Sequence, residues 1–127
     1  MLIGELAGLA GTSPRTLRYY EAQGLLRASR DANGYRQYED AELRVVHEIR
    51  TLLASGFGLD EIKPFVACLR AGNSAGFVCP DSVAVLRRKL AEVDDYLAQL
   101  TEVRARLHDQ LAQALLSEGG SPCRILP

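Results

Sequence analysis

The stretch TSPRTLRYYEAQG, residues 12–24, decides the fold. Thr12-Ser13-Pro14 reads as a helix start: a hydroxyl cap is followed by proline at the first helical position, where its missing N–H costs nothing. The helix so begun is predicted to run to about Ala22 and to end at Gly24. Upstream, Ile3, Leu6, Ala7 and Ala10 lie at helical spacing and stop at Gly11, a residue that turns the backbone cheaply. Two short helices joined by a tight Gly-Thr-Ser turn form a helix-turn-helix candidate, whose second element would lie in a DNA major groove.

Downstream, Leu25-Leu26-Arg27 and Tyr35-Arg36-Gln37-Tyr38 flank Asp31-Ala32-Asn33-Gly34. Asn-Gly is a strong hairpin signal because both residues accept positive φ, so a small β-hairpin wing is predicted. Asp40 then caps a helix with Leu43, Val46, Ile49 and Leu53 on one face, ending at Gly56. A further helix, from Leu59 to about Arg70, turns Leu59, Ile62, Val66 and Leu69 inward. Ala71 to Val78, rich in Gly, Ala, Asn and Ser, reads as a linker.

From Asp81 to about Ser117 there is no glycine or proline, and the apolar positions repeat as a heptad. Val83, Leu90, Leu97 and Leu111 take the a positions and Leu86, Val93, Leu100, Leu107 and Ala114 the d positions, with Arg104 as the break. Such a helix is ~55 Å long at ~1.5 Å per residue, and its seam calls for the same helix of a second chain. The predicted organisation is a DNA-binding domain over 1–71, a linker over 72–80, a dimerisation helix over 81–117 and a tail over 118–127.

Composition bounds the alternatives. A chain of 127 residues, 47% hydrophobic and 24% charged, has room for one small domain with an appended helix and excludes a large multi-domain enzyme. The net charge is -1, yet residues 11–38 carry Arg15, Arg18, Arg27, Arg30 and Arg36 against only Glu21 and Asp31, a concentration suited to phosphates. No apolar window reaches the ~18 residues of a membrane span, and the first residues lack an export signal, so a cytoplasmic protein without a membrane partner is expected. An enzyme is not expected: there is no Ser/His/Asp set at credible spacing, no phosphate-cradling glycine loop and no Cys-x-x-Cys. A coiled-coil adaptor that binds protein in place of DNA is the alternative from another class. Three cysteines, an odd count, suit free thiols, a thiolate metal site or a redox pair better than a disulfide framework.

The side chains themselves fit DNA. Arg15 and Arg18, three apart on a short helix, share a face, and the arginine fork matches phosphate oxygens or guanine edges. Tyr19 and Tyr20 can give one ring to the core and one hydroxyl to a phosphate. Arg36 and Tyr38 alternate on one face of the wing strand.

In this order of elements, and in the strings Ile3-Gly4-Glu5-Leu6-Ala7, Thr16-Leu17-Arg18-Tyr19-Tyr20-Glu21, Gly24-Leu25-Leu26, Asn33-Gly34-Tyr35-Arg36 with Tyr38, and Gly56-Phe57, the sequence resembles the MerR family of bacterial transcription regulators. The resemblance is close over residues 1–70 and one of pattern over 80–117. It implies an all-α fold with a small β-hairpin wing: a winged helix-turn-helix domain carried on a long antiparallel coiled-coil dimerisation helix. It implies DNA contacts from Arg15, Thr16, Arg18, Tyr19, Tyr20, Tyr35, Arg36 and Tyr38, and a dimer interface of Val83, Leu86, Leu90, Val93, Leu97, Leu100, Leu107 and Leu111. Some relatives also place a base at the end of the helix before Gly56, where the nearest counterpart here is Arg50.

The resemblance further implies a homodimer on double-stranded promoter DNA, which bends and untwists an over-long spacer for bacterial RNA polymerase when a small effector binds. Similar short metal sensors place one cysteine just before the long helix and others just after it. Cys79 matches the first position, where the helix dipole favours thiolate, and Cys123 follows the helix end. Antiparallel pairing would bring Cys79 of one chain to Cys123 of its partner. Those sensors carry two cysteines in the terminal loop and this chain carries one, so Cys68 is the candidate for a further ligand, against a plain buried role. Three effector classes remain open: a soft metal ion held by cysteine thiolates, thiol oxidation of Cys79 with Cys123 or Cys68, and a small organic ligand against Phe57, Phe65, Phe77 and Tyr96. Action without an effector is the further alternative.

Overall fold

The computed structural model describes residues 1–117. Within them the elements run α1 (Ile3–Ala10), α2 (Pro14–Ala22), β1 (Ser29–Arg30), β2 (Arg36–Gln37), α3 (Asp40–Ala54), α4 (Leu59–Arg70) and α5 (Pro80–Leu116). Met1–Arg87 form one compact unit, and the rest of α5 belongs to a second. No described helix is long and apolar enough to cross a membrane.

Local chemistry sets the helix ends. Gly11 ends α1 in the left-handed region (φ 68°), where its flanking amides close back on Gly8 O and Ala7 O. Ser13 caps α2, its hydroxyl accepting from the Thr16 N–H at 3.2 Å, with Pro14 in the first turn. Gly58, without a side chain to cap α4, donates its N–H to Glu61 Oε1 at 2.9 Å, so the first turn is still closed.

The wing is shorter than its flanking sequence suggests. β1 and β2 pair antiparallel with Ser29 opposite Gln37 and Arg30 opposite Arg36, while Leu25 and Leu26 lie in the core, 1% and 3% exposed. The turn also differs from the expected Asn-Gly form, because Gly34 alone takes positive φ (81°) and Asn33 does not. Asp31 accounts for this: its Oδ1 accepts from the N–H groups of Asn33 and Tyr35, at 2.9 and 3.0 Å, and its carbonyl from that of Gly34. The result is a three-residue loop with glycine at its left-handed position.

The core of the first unit packs α1 against α2 and α3, and α3 against α4, around Leu6, Leu17, Val46, Ile49, Ile62 and Phe65. A buried charge pair braces it from one side. Glu42 on α3 accepts from Arg70 at the end of α4 at 2.7 and 3.0 Å, and from the Arg27 N–H at 3.4 Å, while Arg70 also donates to Leu25 O at 2.9 Å.

Residues 71–79, read from the sequence as a linker, are a loop that folds back on the compact unit at Gly76. Gly76 is buried, a Cβ there would meet Phe65 O at 2.9 Å, and its carbonyl accepts from the buried Ser82 hydroxyl at 2.6 Å. Arg44 of α3 also donates to Ser74 O. The compact unit therefore extends past the predicted boundary at residue 71 into the first turns of α5, where Val85 joins the core.

Candidate nucleic-acid interface and sulfur pair

On α2 the helical period sorts the side chains. Leu17 and Tyr20 face the core, while Arg15, Arg18 and Tyr19 are exposed and Thr16 is half-buried. Arg18 continues into a cleft of about 690 Å³ shared with Arg30, Tyr35 and Arg36 of the wing and with the first turn of α1. Three arginines face Glu5 there, so the cleft is positive, and its mouth carries Tyr35 at 65% exposure. Arg36 is tied to Glu21 of α2 at 3.1 Å, and Arg30 donates to Gly34 O at 2.8 Å, so the wing arginines are held in place and do not trail in solvent. A convex helix beside a basic cleft with aromatic and guanidinium groups matches a phosphate backbone running past a groove.

Two of the expected contact residues are corrected. Tyr38 is 1% exposed, because the chain turns inward after β2, where its N–H donates to Met1 O at 2.7 Å. Tyr20 is 5% exposed and gives its ring to the core, whereas its neighbour Tyr19 is 52% exposed, with the ring centroids 6.4 Å apart. Burial is the main cause raising both phenol pKa values above the ordinary 10, with the Glu21 carboxylate raising Tyr38 further. Arg50, the candidate for an extra phosphate contact, donates to Ala10 O at the end of α1 and so serves the turn before α2.

The residues expected to form the seam lie on α5. Leu90, Leu97, Leu100, Leu107 and Leu111 are 56–63% exposed, Leu86 and Val93 are 37% and 47% exposed, and Val83 is half-buried. A row of large apolar side chains bare to water in a single chain is the signature of a surface built for a partner.

Cys68 and Cys79 are joined as a disulfide, with Cα atoms 5.8 Å apart. Cys68 is 2% exposed near the end of α4, and Cys79 is half-buried immediately before α5. Asn73 braces the bridge, its Nδ2 donating to Cys68 O at 3.0 Å and to Cys79 Sγ at 3.3 Å. The pairing of Cys79 with Cys68 is one of the two expected from the sequence, and Gly72, in the left-handed region (φ 94°), helps fold the loop back between them. Cys123 lies outside the described residues. Among the described residues no group of three or more His, Cys, Asp or Glu could hold a metal ion. Of the aromatic set suggested for an organic ligand, Phe57 and Phe65 pack edge to face at 5.7 Å with Phe65 in the core, Phe77 is exposed, and Tyr96 belongs to the second unit.

Residues 1–67 match the family described as MerR HTH family regulatory protein, and residues 43–110 match MerR, DNA binding. The HTH-type transcriptional regulator HmrR of Rhizobium leguminosarum bv. viciae is 34% identical, over 99% of this chain and 95% of HmrR. Among solved structures, the transcription regulator PbrR691 from Ralstonia metallidurans CH34, in complex with lead(II), is similar with a TM-score of 0.68 at 28% identity, over 86% of this chain and 83% of PbrR691. HiNmlR, a MerR family regulator lacking the sensor domain and bound to promoter DNA, is similar with a TM-score of 0.56 at 26% identity, over 88% of this chain and 83% of that protein.

Proposed function

This chain belongs to the MerR family of DNA-binding transcription regulators, and from that premise we propose that it works in the cytoplasm as a homodimer that distorts a promoter for RNA polymerase when an effector reaches Cys79. The α5 seam pairs antiparallel with its copy in a second chain and sets two α2 helices on the halves of a palindromic spacer. Arg15, Thr16, Arg18 and Tyr19 then meet the major groove and its phosphates, and Tyr35 and Arg36 of the wing meet the flanking backbone. Bending and untwisting a spacer costs on the order of 1–6 kcal/mol, supplied by contacts that differ between two states of the dimer.

The single observation that carries the DNA reading is the three-arginine cleft at the wing, continuous through Arg18 with the exposed face of α2. The trigger is a thiol-directed effector, either a soft metal ion or an oxidant. Two thiolates whose Cα atoms are 5.8 Å apart suit a bent chelate, since ~2.3 Å metal–sulfur bonds at a tetrahedral angle set the sulfurs ~3.8 Å apart. Cys68 and Cys79 fit as half of a four-coordinate set, with Cys123 of the second chain as a further ligand; such an ion would supply a cross-link between chains. The complex of PbrR691 with lead(II) favours that class of ion.

The experiment is selection of bound duplexes from a random pool, followed by titration against salt. The parent chain is expected to enrich a palindrome and to lose affinity steeply as salt rises, through counterion release. Arg18→Ala is expected to weaken binding about tenfold or more, with a salt slope shallower by ~1 if Arg18 holds a phosphate. No enriched duplex, or an affinity indifferent to salt, refutes the proposal.

A further inference from the structure

Resting on that reading of the regulator, we propose that Cys68 and Cys79 of one chain form a reversible oxidation site, whose dithiol and disulfide states set different outputs at the promoter. The site is built for an exchange within one chain. Cys79 is partly exposed and can meet a small oxidant, whereas Cys68 is enclosed at 2% exposure and, among the described residues, has Cys79 as its sulfur partner. The packed loop between them holds that approach in place through Asn73, which bonds to both cysteines, and through Ser82, which fixes Gly76.

The oxidant class is a hydroperoxide. The Cys79 thiolate attacks one peroxide oxygen, the O–O bond breaks, and the departing hydroxide takes a proton to leave as water; Cys79 becomes a sulfenic acid. Cys68 then gives up its proton and attacks Sγ of Cys79, the S–O bond breaks, and a second water leaves. Two thiols and hydrogen peroxide give one disulfide and two waters, with two electrons passing from the sulfur pair to the peroxide. A dithiol reductant reverses the bridge by exchange.

Oxidation covalently fastens the residue just before α5 to the last turn of α4. The fastening point lies two residues from Arg70, whose guanidinium holds Glu42 and Leu25 O, and Glu42 in turn accepts from the Arg27 N–H on the way into the wing. It also consumes the two sulfurs that a soft ion would need, so oxidised and metal-bound forms exclude one another at this pair.

The test uses the full chain, reduced and then treated with hydrogen peroxide, with thiols mapped by alkylation and peptide mass, and DNA affinity and transcription measured on the selected duplex. The expected result is a bridge between Cys68 and Cys79 within one chain, formed equally in Cys123→Ala, reversed by dithiothreitol, and changing promoter output at least fivefold. Cys68→Ala is expected to trap a sulfenic acid on Cys79, detectable with dimedone, and Cys79→Ala to give no dimedone adduct on Cys68. Both thiols surviving peroxide, a bridge through Cys123, or equal output from the two states overturns the proposal. Thiol mapping needs no DNA: an intact bridge in a chain that binds no duplex refutes the promoter role in both proposals, whereas DNA binding without a bridge refutes this one alone.

Discussion

Replacing Arg70 by alanine tests whether the brace between α3, α4 and the entry to the wing stabilises the fold. Arg70 makes two charged hydrogen bonds to Glu42, at 2.7 and 3.0 Å, and one to Leu25 O at 2.9 Å, and the Glu42 side chain is only 7% exposed. Without Arg70 the enclosed carboxylate keeps the Arg27 N–H at 3.4 Å, a weak substitute. Removing one partner of a buried ion pair costs about 3–5 kcal/mol. Arg70 is 17% exposed and water can reach part of the site, so the lower figure, about 3 kcal/mol, is expected. At ~3–5 °C per kcal/mol for a chain of this size, the melting temperature should fall by ~10–15 °C. The assay is urea unfolding at fixed protein concentration, since a dimer's stability depends on it. The double variant Glu42→Leu with Arg70→Leu removes the charge without stranding it, and should recover most of the loss. A single variant within ~0.5 kcal/mol of the parent, or a double variant no better than the single, refutes the reasoning.

Three further outcomes are expected. Gly76→Ala should cost about 1–3 kcal/mol in the same unfolding assay, because a Cβ there meets Phe65 O at 2.9 Å and that carbonyl cannot swing aside; a neutral substitution would show that the loop is not packed as described. Leu97→Glu, in the middle of the exposed seam, should sediment as a monomer at micromolar concentration, since each buried leucine contributes ~1.5–3 kcal/mol and a charge there repels its copy; an unchanged dimer places the interface elsewhere. Tyr20 and Tyr38 have pKa values raised above the ordinary phenol value of 10. The folded chain thus binds more protons than the unfolded chain above pH 10, and their stabilising contribution, complete below pH 10, is lost as pH rises through the folded values. Tyr38→Phe should flatten this alkaline loss, and an identical alkaline unfolding curve for the variant would refute it.

Most of the architecture was written in neighbouring residues. A cap and proline at positions 13 and 14, glycine at 11, and apolar spacing of 3 and 4 act within one or two turns, and the helices follow them closely: α2 spans Pro14–Ala22 and α4 spans Leu59–Arg70. The heptad on α5 and the exposed arginines of α2 were legible for the same reason, since a helical period alone says which side chains share a face. The wing turn was half legible, because Asp31 redirected it with side-chain bonds that the Asn-Gly pair does not reveal.

What the chain order could not disclose depended on residues far apart in sequence. The sequence suggests Tyr38 as a wing contact to DNA and Arg50 as a counterpart to a phosphate-binding base, yet the Tyr38 N–H bonds Met1 O with the side chain buried, and Arg50 donates to Ala10 O. Arg70 meets Glu42 and Leu25 across 28 and 45 residues, and Cys68 meets Cys79 only because a glycine-bearing loop folds onto Phe65. The sequence by itself determined the helices and which side chains of α2 and α5 share a face, since these arise from periodicity and capping. Tertiary structure alone decided which tyrosines are buried, which charges are enclosed and which sulfurs are partners, because burial and partnership belong to the packed arrangement of several elements and to no single stretch.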